Sequence, residues 1–242
     1  MKPGTINQDQ RDCAVFDLDK TLLSADSTVT WMRGLLQASP WKLPAVLVVF
    51  PVAVVLLHLP SARRIGASIL LWIATFGLDQ VALKRSMDAF ATLFEQGLRS
   101  LRWFDDGIGE LKDHIARGHR VVVVTAAPQW LAERLLLSFD GDLQVIGSSL
   151  RSVANGWVVQ RHCRGIEKCH MLLDAGYGAA WRWAYSDSED DAPMLACAQE
   201  AFLVNASAKI QRRAAARGVS RAVVVRWQAS AANGQPDKRE SP

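Results

Sequence analysis

Two aspartates separated by one residue follow an apolar run near the N-terminus, in the stretch CAVFDLDKTLL that begins at Cys13. Carboxylates this close repel each other, so folding alone gives no reason for the pair. Side chains two positions apart on an extended chain point to the same side. Asp17 is therefore suited to attack a phosphoryl group while Asp19 donates and accepts the proton, and a hard divalent cation such as Mg²⁺ would relieve their repulsion.

The elements that must position these groups are strands that alternate with helices, a pattern that predicts a mostly parallel α/β sheet with right-handed crossovers. The stretch HRVVVVTAAP is typical of a parallel strand covered on both faces, and SVANGWVV predicts a hairpin around Asn-Gly. Chemistry in such sheets collects at the carboxyl ends of the strands. Three predicted strands end there in a carboxylate or a hydroxyl, namely at Asp17, Thr125 and Asp187.

Further groups complete a phosphoryl-transfer site. Thr125, with the backbone amide of Ala126, would hydrogen-bond the phosphate oxygens, and Asp187 would supply another carboxylate to the cation. Lys168 would neutralise the nucleophile and the phosphate together. Taken singly these residues also have ordinary roles, since Thr125 could cap a helix and Asp190 and Asp191 could be first-turn acids favoured by the helix dipole. For Asp190 the ordinary role is preferred.

Four stretches in order, FDLDKT, VVVVTAAP, the lysine of GIEKCHML and YSDSEDDAPML, resemble the motifs of subclass I phosphatases of the haloacid dehalogenase (HAD) superfamily. The resemblance covers roughly residues 12–24 and 100–210, and it implies an HAD-like, Rossmann-type core that uses Mg²⁺. It implies a nucleophile at Asp17, an acid/base at Asp19 steadied by Thr21, and phosphate binding at Thr125 and Thr21. It also implies the motif-three lysine at Lys168 and metal binding at Asp17, Asp187, Asp191 and the backbone carbonyl of Asp19.

The chain departs from the family pattern at two positions. Lys20 stands where many relatives have glycine, and Ser186 replaces the usual glycine before Asp187. Neither change removes a catalytic group. Asp19 argues for phosphatase or phosphotransferase chemistry and against the dehalogenase branch, which lacks the second aspartate.

A long apolar segment, LPAVLVVFPVAVVLLHLP, begins at Leu43 and ends at Pro60. At about 1.5 Å per residue it barely spans a hydrocarbon core of roughly 30 Å. A single crossing is excluded because Asp17 precedes the segment and its partners follow it. A two-span hairpin would place Arg63 and Arg64 on the far side, against the positive-inside tendency. An in-plane or re-entrant helical pair over residues 43–78 fits better, and a soluble helical cap is the alternative.

The insertion carries a closer resemblance. SILLWIATFG, NGWVVQRHCRGIEK and YSDSEDDAPML resemble phosphatidylglycerophosphatase C, a group of bacterial membrane HAD phosphatases. This implies removal of the terminal phosphate of phosphatidylglycerophosphate, in phospholipid biosynthesis, at the cytoplasmic face of the inner membrane. Candidates to bind the second, diester phosphate are Arg63, Arg64, Arg161 and Arg164. Two alternatives stay open: a phosphatase for a soluble monoester such as phosphoserine, and an inactive membrane-bound HAD scaffold.

Composition sets the remaining limits. The 242 residues predict a catalytic core at 1–28 and 99–227, a helical cap at 29–98 with the membrane-associated part at 43–78, and a disordered tail at 228–242. A net charge of +4 is too small to argue for nucleic acid as a partner. The four scattered cysteines contain no CxxC pair and predict reduced cytosolic thiols, and the polar N-terminus predicts no secretory signal.

Overall fold

The computed structural model describes residues 12–59, 61–97, 100–139 and 143–229. The strands are β1 (Cys13–Phe16), β2 (Arg120–Pro128), β3 (Leu143–Val153), β4 (Gly156–Arg161), β5 (Trp181–Ser186), β6 (Ala198–Val204) and β7 (Val223–Val225). The helices are α1 (Ser27–Ala38), α2 (Leu43–His58), α3 (Arg63–Thr75), α4 (Gln80–Glu95), α5 (Asp105–Ala116), α6 (Gln129–Leu136), α7 (Ile166–Asp174), α8 (Ala192–Ala196) and α9 (Ala208–Ala216). Most of the predicted disordered tail lies outside the described residues.

Within these ranges seven strands form one sheet in the order β4-β3-β2-β1-β5-β6-β7. Every neighbouring pair is parallel except β3 and β4, which form an antiparallel hairpin. This confirms the predicted mostly parallel α/β fold. Helices α1 to α4 are inserted between β1 and α5, where the sequence predicts a helical cap.

The sheet is buried on both faces, as the β-branched run in β2 predicts. Val121 and Val123 pack with Phe16 in one core cluster, whereas Val122 and Val124 belong to the other. Successive side chains of a strand point to opposite faces, so each valine contributes to one of the two layers of helices. Packing on both faces fixes the central strands, so their carboxyl ends lie side by side at one edge of the sheet.

Three predicted elements differ in detail. Strand β3 is continuous from Leu143 to Val153, although its sequence reads as two short runs. The stretch DAPMLACAQ is typical of a helix throughout, but α8 ends at Ala196 because β6 already begins at Ala198. The spacing of Val81, Leu83 and Met87 predicts one apolar helix face, but Val81 is exposed. It lies two positions before Leu83, which places it on the other side of the helix.

The cap rests on the β3–β4 hairpin. Trp157 donates its backbone N–H to Thr75 Oγ1 at 3.0 Å, and Trp72 donates its indole N–H to the carbonyl of Val153 at 2.9 Å. The contact is so close at Gly156 that a Cβ there would lie 2.6 Å from the Trp72 ring. Helix α3 of the cap therefore packs directly on the hairpin.

Helix α2 is apolar on all sides, yet most of it faces solvent. Leu47 and Val48 are 74% and 78% exposed, and Phe50, Val52 and Val55 are exposed as well. Among the described residues, one helix, Pro40–His58 with its leading 3₁₀ turn, is long and apolar enough to cross a membrane. Helices α3 and α4 meet that criterion only together, as a pair bent by 94°. An exposed apolar surface of this extent marks an interaction site.

Both ends of α2 are tied to α3. The buried ammonium of Lys42 donates to the carbonyls of Ala74 at 3.0 Å and Phe76 at 2.9 Å, where α3 ends. At the other end, Arg63 Nε donates to the carbonyl of Leu57 at 3.0 Å. Helix α2 therefore runs antiparallel to α3 and lies along the cap instead of projecting from it.

Candidate active site

The predicted site residues meet at one edge of the sheet. Strand β1 lies between β2 and β5, and Phe16 is in register with Val123 and Tyr185. Asp17 and Asp187 consequently follow β1 and β5, and Thr125 lies within β2 at nearly the same level, because β2 continues to Pro128. They border a pocket of about 110 Å³ whose lining is Asp17, Asp19, Lys20, Asp26, Thr125, Ala126, Arg164, Lys168, Asp187, Ser188, Asp190 and Asp191.

Asp17 is held from three sides at the end of β1. Its backbone N–H donates to the carbonyl of Tyr185 at 2.9 Å, which keeps it in the sheet. Its Oδ1 accepts from Lys168 Nζ at 2.5 Å, and its Oδ2 accepts from Thr21 Oγ1 at 3.2 Å. The side chain is almost buried. Burial, together with the nearby Asp191, raises the pKa of Asp17 to about 6, although Lys168 opposes this shift.

The structure corrects the role of Thr21. The sequence predicts that it steadies the acid/base or binds phosphate, but Thr21 is fully buried and its hydroxyl contacts Asp17. The same oxygen accepts from the backbone N–H of Asp187 at 3.0 Å. The reason is the tight loop after β1, in which the carbonyl of Leu18 accepts from three successive N–H groups and turns Thr21 inward. Thr21 thus joins the ends of β1 and β5.

Asp19 also lines the pocket. Its Oδ1 accepts from the backbone N–H of Ser27 at 2.8 Å, at the start of α1. Burial and the neighbouring Asp26, which caps the same helix, raise the pKa of Asp19 well above its usual range. A raised pKa lets a carboxyl group hold its proton to a higher pH, which favours a role as general acid.

Lys20 explains one departure from the family pattern. Its φ of 62° lies in the left-handed region, where glycine is favoured because it has no Cβ. The chain accepts this strain at a residue whose ammonium lines the pocket and lowers the pKa of Asp187. Sequence reasoning treated Lys20 as a tolerated change and missed this cation.

Lys168 is the cation beneath the pocket floor. It is only 2% exposed, and Nζ donates to Asp17 and, at 2.7 Å, to Asp191 Oδ2. Burial by itself would lower the pKa of Lys168, but the carboxylates of Asp17 and Asp191 raise it above its usual range. Ser186 donates to the same Asp191 oxygen at 2.7 Å. The serine that replaces the family glycine therefore orients the partner of Lys168, a role that the sequence did not reveal.

Thr125 and Ala126 form the wall supplied by β2. Thr125 is fully buried, and its Oγ1 accepts from the N–H of Ala127 at 3.1 Å, so its hydroxyl proton stays free to donate. The carbonyl of Ala126 accepts from Ser148 Oγ at 2.8 Å, which fixes the peptide next to the pocket. Thr125 and Ala126 both line the pocket that a bound phosphate would occupy.

The carboxylates of the pocket are suited to bind a hard divalent cation, because without one their negative charges repel each other. Burial, with smaller contributions from Asp17 and Asp191, raises the pKa of Asp187 to about 7. No group of three or more His, Cys, Asp or Glu within the described ranges is arranged to hold a metal. Asp191, predicted as a ligand, is instead bonded to Lys168 and Ser186, so Asp17, Asp187 and the backbone of Asp19 are the better candidates.

Asp190 has a role that its sequence context did not indicate. Its carboxylate accepts from Arg63 at 2.7 Å, from Arg164 at 2.7 Å and from Arg217 at 3.3 Å. Burial would raise the pKa of Asp190, but the bonds from Arg164 and Arg63 lower it to about 2. Asp190 thereby links the cap to the core. Arg161, another predicted phosphate ligand, points to Glu167 and Asp174 on α7, away from the pocket.

Comparison with known proteins gives a family and a fold. The model of haloacid dehalogenase-like hydrolases matches residues 14–196. Phosphoserine phosphatase SerB1 of Mycobacterium tuberculosis (strain ATCC 25618 / H37Rv) is 27% identical over 214 residues, which are 85% of this chain and 68% of that protein. A protein of unknown function from Bordetella pertussis Tohama I has a similar structure, with a TM-score of 0.65, 20% identity, and coverage of 89% of this chain and 98% of that one. A phosphoserine phosphatase in its apo form has a TM-score of 0.55 at 12% identity, covering 84% and 90%.

Proposed function

The chain belongs to the haloacid dehalogenase-like hydrolase family and is a phosphoric monoester hydrolase, and we propose that its substrate is a lipid phosphate monoester at a membrane surface. The preferred substrate in this proposal is phosphatidylglycerophosphate, which is converted to phosphatidylglycerol. The observation that carries the proposal is helix α2, an apolar helix of the cap that is largely exposed.

The position of α2 supports an enzyme that lies on the membrane. A soluble cap would bury a helix of this composition, whereas here the largest side chains face outward. Because both ends of α2 are bonded to α3, the helix would enter the interface lengthwise, to a depth of roughly 5–10 Å. The exposed Trp41 suits the headgroup level, and Arg63 and Arg64 suit anionic lipids.

The contact between cap and core supports binding of a headgroup near the pocket. Arg63 begins α3 at the end of the apolar helix, and it bonds Asp190 at 2.7 Å on the pocket wall. The membrane-facing side of the cap and the catalytic carboxylates are thus joined by one ion pair. A phosphate that extends from the interface would reach Asp17 without leaving its lipid anchor.

The proposed reaction has two steps. Asp17 attacks phosphorus in line, the bond to the leaving oxygen breaks, and protonated Asp19 gives that oxygen its proton. Asp19 then takes a proton from a water molecule, whose oxygen attacks the aspartyl-phosphate and releases inorganic phosphate and free Asp17. Thr125 and the amide of Ala126 bind the phosphoryl oxygens throughout. Lys168 holds Asp17 in place and offsets part of the negative charge.

A divalent cation, Mg²⁺ in this proposal, would be held by Asp17, Asp187 and the backbone carbonyl of Asp19 and would supply positive charge to the phosphoryl oxygens. The raised pKa values of Asp17 and Asp187 support such a cation, because they come first from burial and then from neighbouring carboxylates, and a bound cation would offset both. The backbone bond from Asp187 to Thr21 keeps the two proposed carboxylate ligands next to each other.

Phosphoserine is the second candidate substrate. It is supported by the name of the Mycobacterium tuberculosis relative and by that of the apo structure with the same fold. In this alternative the exposed face of α2 would be covered by something other than lipid. The two candidates therefore differ in what contacts Leu47 and Val48 as well as in the ester that is cleaved.

The test compares phosphate release from phosphatidylglycerophosphate in anionic vesicles, phosphatidic acid in the same vesicles, and soluble phosphoserine, each with Mg²⁺. We expect kcat/KM for phosphatidylglycerophosphate to exceed that for phosphoserine by at least about tenfold, which corresponds to about 1.4 kcal/mol. Asp17→Asn should abolish release, and Asp113→Asn, at an exposed pair with Arg117, should leave it unchanged.

A preference for phosphoserine, together with failure to sediment with vesicles, would reverse the assignment in favour of the second candidate. Absence of turnover on all three esters with Mg²⁺ would point to the inactive scaffold. Full activity of Asp17→Asn would contradict the mechanism whichever substrate is cleaved.

A further inference from the structure

A second cavity adjoins the catalytic pocket at the junction of cap and core. It has a volume of about 280 Å³ and is lined mainly by Ser61, Arg63, Arg64, His162, Arg164 and Asp190. Arg164 and Asp190 also line the catalytic pocket, so the two spaces are neighbours across these side chains. We refer to it below as the junction cavity.

The junction cavity carries surplus positive charge. Arg63, Arg164 and Arg217 share the single carboxylate of Asp190, at distances of 2.7, 2.7 and 3.3 Å. Arg64 adds a further guanidinium, whose Nη1 donates to the backbone carbonyl of Gln160 at 3.3 Å, a weak and uncharged contact. One carboxylate cannot neutralise this set, so an anion entering the cavity would gain charge-assisted hydrogen bonds.

The pKa of His162 also indicates positive charge around the junction cavity. Burial and the three nearby arginines, Arg164, Arg63 and Arg64, lower the pKa of His162 to about 4. The imidazole is therefore neutral at physiological pH and adds a polar group to the wall. Arg161, one residue earlier, is the contrasting case, because its guanidinium is shared between two carboxylates, those of Glu167 and Asp174. The excess of arginines over carboxylates is thus found at the junction cavity and not at the neighbouring Arg161.

The two neighbouring spaces have opposite electrostatic character. The catalytic pocket is dominated by Asp17, Asp19 and Asp187, with raised pKa values, and takes a phosphoryl group only with the help of cations. The junction cavity is dominated by arginines and attracts an anion directly. A substrate that spans both would place its scissile phosphate over Asp17 and a second negative group among the arginines.

We propose that the junction cavity binds a second anionic group of the substrate, a phosphodiester, on the same molecule as the scissile phosphate. This deepens the proposed function and rests on it for the lipid source of that group. A carboxylate, as in phosphoserine, has the same charge and is the other source to be distinguished. The phosphodiester is favoured because a groove of about 360 Å³ continues from Arg64 past Ile65, Ser68 and Trp72, where the rest of a larger substrate would lie.

The test uses water-soluble ester pairs, so that it does not depend on membrane binding. The first pair is glycerophosphoglycerophosphate, the deacylated headgroup, against glycerol 3-phosphate. The second pair is phosphoserine against phosphoethanolamine, which differ by the carboxylate. We expect the wild type to prefer glycerophosphoglycerophosphate by at least about tenfold in kcat/KM, as expected for one or more hydrogen bonds to a charged group.

Arg64→Gln and Arg164→Gln should each reduce this preference to about twofold by raising KM for the headgroup. Arg64 lines the junction cavity and not the catalytic pocket, so Arg64→Gln should leave kcat/KM for glycerol 3-phosphate unchanged. Arg182→Gln is the matched control, since its side chain is 44% exposed like that of Arg164 but lies at the start of β5, at the opposite end of the strand from Asp187. Arg64→Gln leaves the contacts of Asp190 intact, because Arg64 bonds the carbonyl of Gln160 and not Asp190. Its effect therefore cannot come from loss of the Asp190 contacts. Calorimetric Kd values in the Asp17→Asn background give the same ratios without turnover.

A wild-type ratio near one in the first pair, or a ratio that both variants leave unchanged, overturns the proposal. A preference confined to phosphoserine over phosphoethanolamine overturns the phosphodiester assignment and makes a carboxylate the ligand. If vesicle activity fails while the soluble headgroup is preferred and the variants lose that preference, the junction cavity stands and the membrane proposal does not.

Discussion

Replacement of Lys168 by methionine tests the ion triad under the catalytic pocket. Methionine keeps an unbranched buried stem and removes the ammonium group, so packing changes little. The carboxylates of Asp17 and Asp191, which now accept from Nζ at 2.5 and 2.7 Å, would be left without their cation, and both are almost buried. Removal of one partner of such a buried pair costs about 3–5 kcal/mol of the free energy of unfolding.

The cost should depend on pH. The pKa of Asp17 is raised to about 6 in the folded protein from 3.8, so this group favours folding below pH 4 and loses that contribution as the pH rises through 6. At pH 5 Asp17 is already mostly protonated and needs its cation less. We therefore expect Lys168→Met to be less destabilising at pH 5 than at pH 8.

The assay is urea unfolding followed by tryptophan fluorescence, in the presence of a chelator, at both pH values. Lys168→Met/Asp17→Asn should recover part of the loss because one uncompensated charge is gone. Lys112→Met, at an exposed position of α5, should change the free energy of unfolding by less than about 0.5 kcal/mol. A loss below about 1 kcal/mol at pH 8, or an equal loss at both pH values, would refute the reasoning.

Three further predictions address the metal, the membrane and the cap. Without metal, the raised pKa values of Asp17 and Asp187 should make the melting temperature fall between pH 5 and pH 8. Addition of Mg²⁺ at pH 8 should restore the melting temperature of the wild type but not that of Asp187→Asn. Val48→Asp should abolish sedimentation with anionic vesicles while leaving the melting temperature within about 1 °C, because the side chain is 78% exposed; unchanged sedimentation would contradict the role of α2. Gly156→Ala should cost about 1–3 kcal/mol by pushing the cap off the hairpin, whereas Gly109→Ala, with nothing within 4 Å of its Cβ, should be neutral or stabilising in chemical denaturation.

The sheet and its active edge were predictable because their signals are local and repeated. Continuous β-branched runs identify strands covered on both faces, and parallel strands bring their carboxyl ends together wherever they fall in the chain. Asp17, Thr125 and Asp187 could therefore be grouped from their positions after three such strands. The capping residues Asp26 and Asp79 also follow from local rules, and both accept the expected backbone N–H groups.

Features that depend on long-range partners were not predictable. Nothing near Asp190 in the sequence reveals that Arg63, from the cap, will meet it across more than a hundred positions. Thr21 turns toward Asp17 because of a loop conformation wound around one carbonyl, and Ser186 gains its role only through the placement of Asp191. The continuity of β3 escaped prediction because it exchanges a parallel neighbour for an antiparallel one partway along its length.

That unbroken β3 strand has a kinetic consequence. The strand pairs with β2 beside the phosphate-binding wall and continues into the hairpin that seats α3, so cap and core share one stiff element. We expect a cap joined in this way to move with the core, so that turnover would not depend on a closing and reopening step. Under the membrane proposal, substrate would then arrive by lateral diffusion within the bilayer. The rate would follow the mole fraction of substrate in the membrane and would fall when inert lipid is added at constant total substrate.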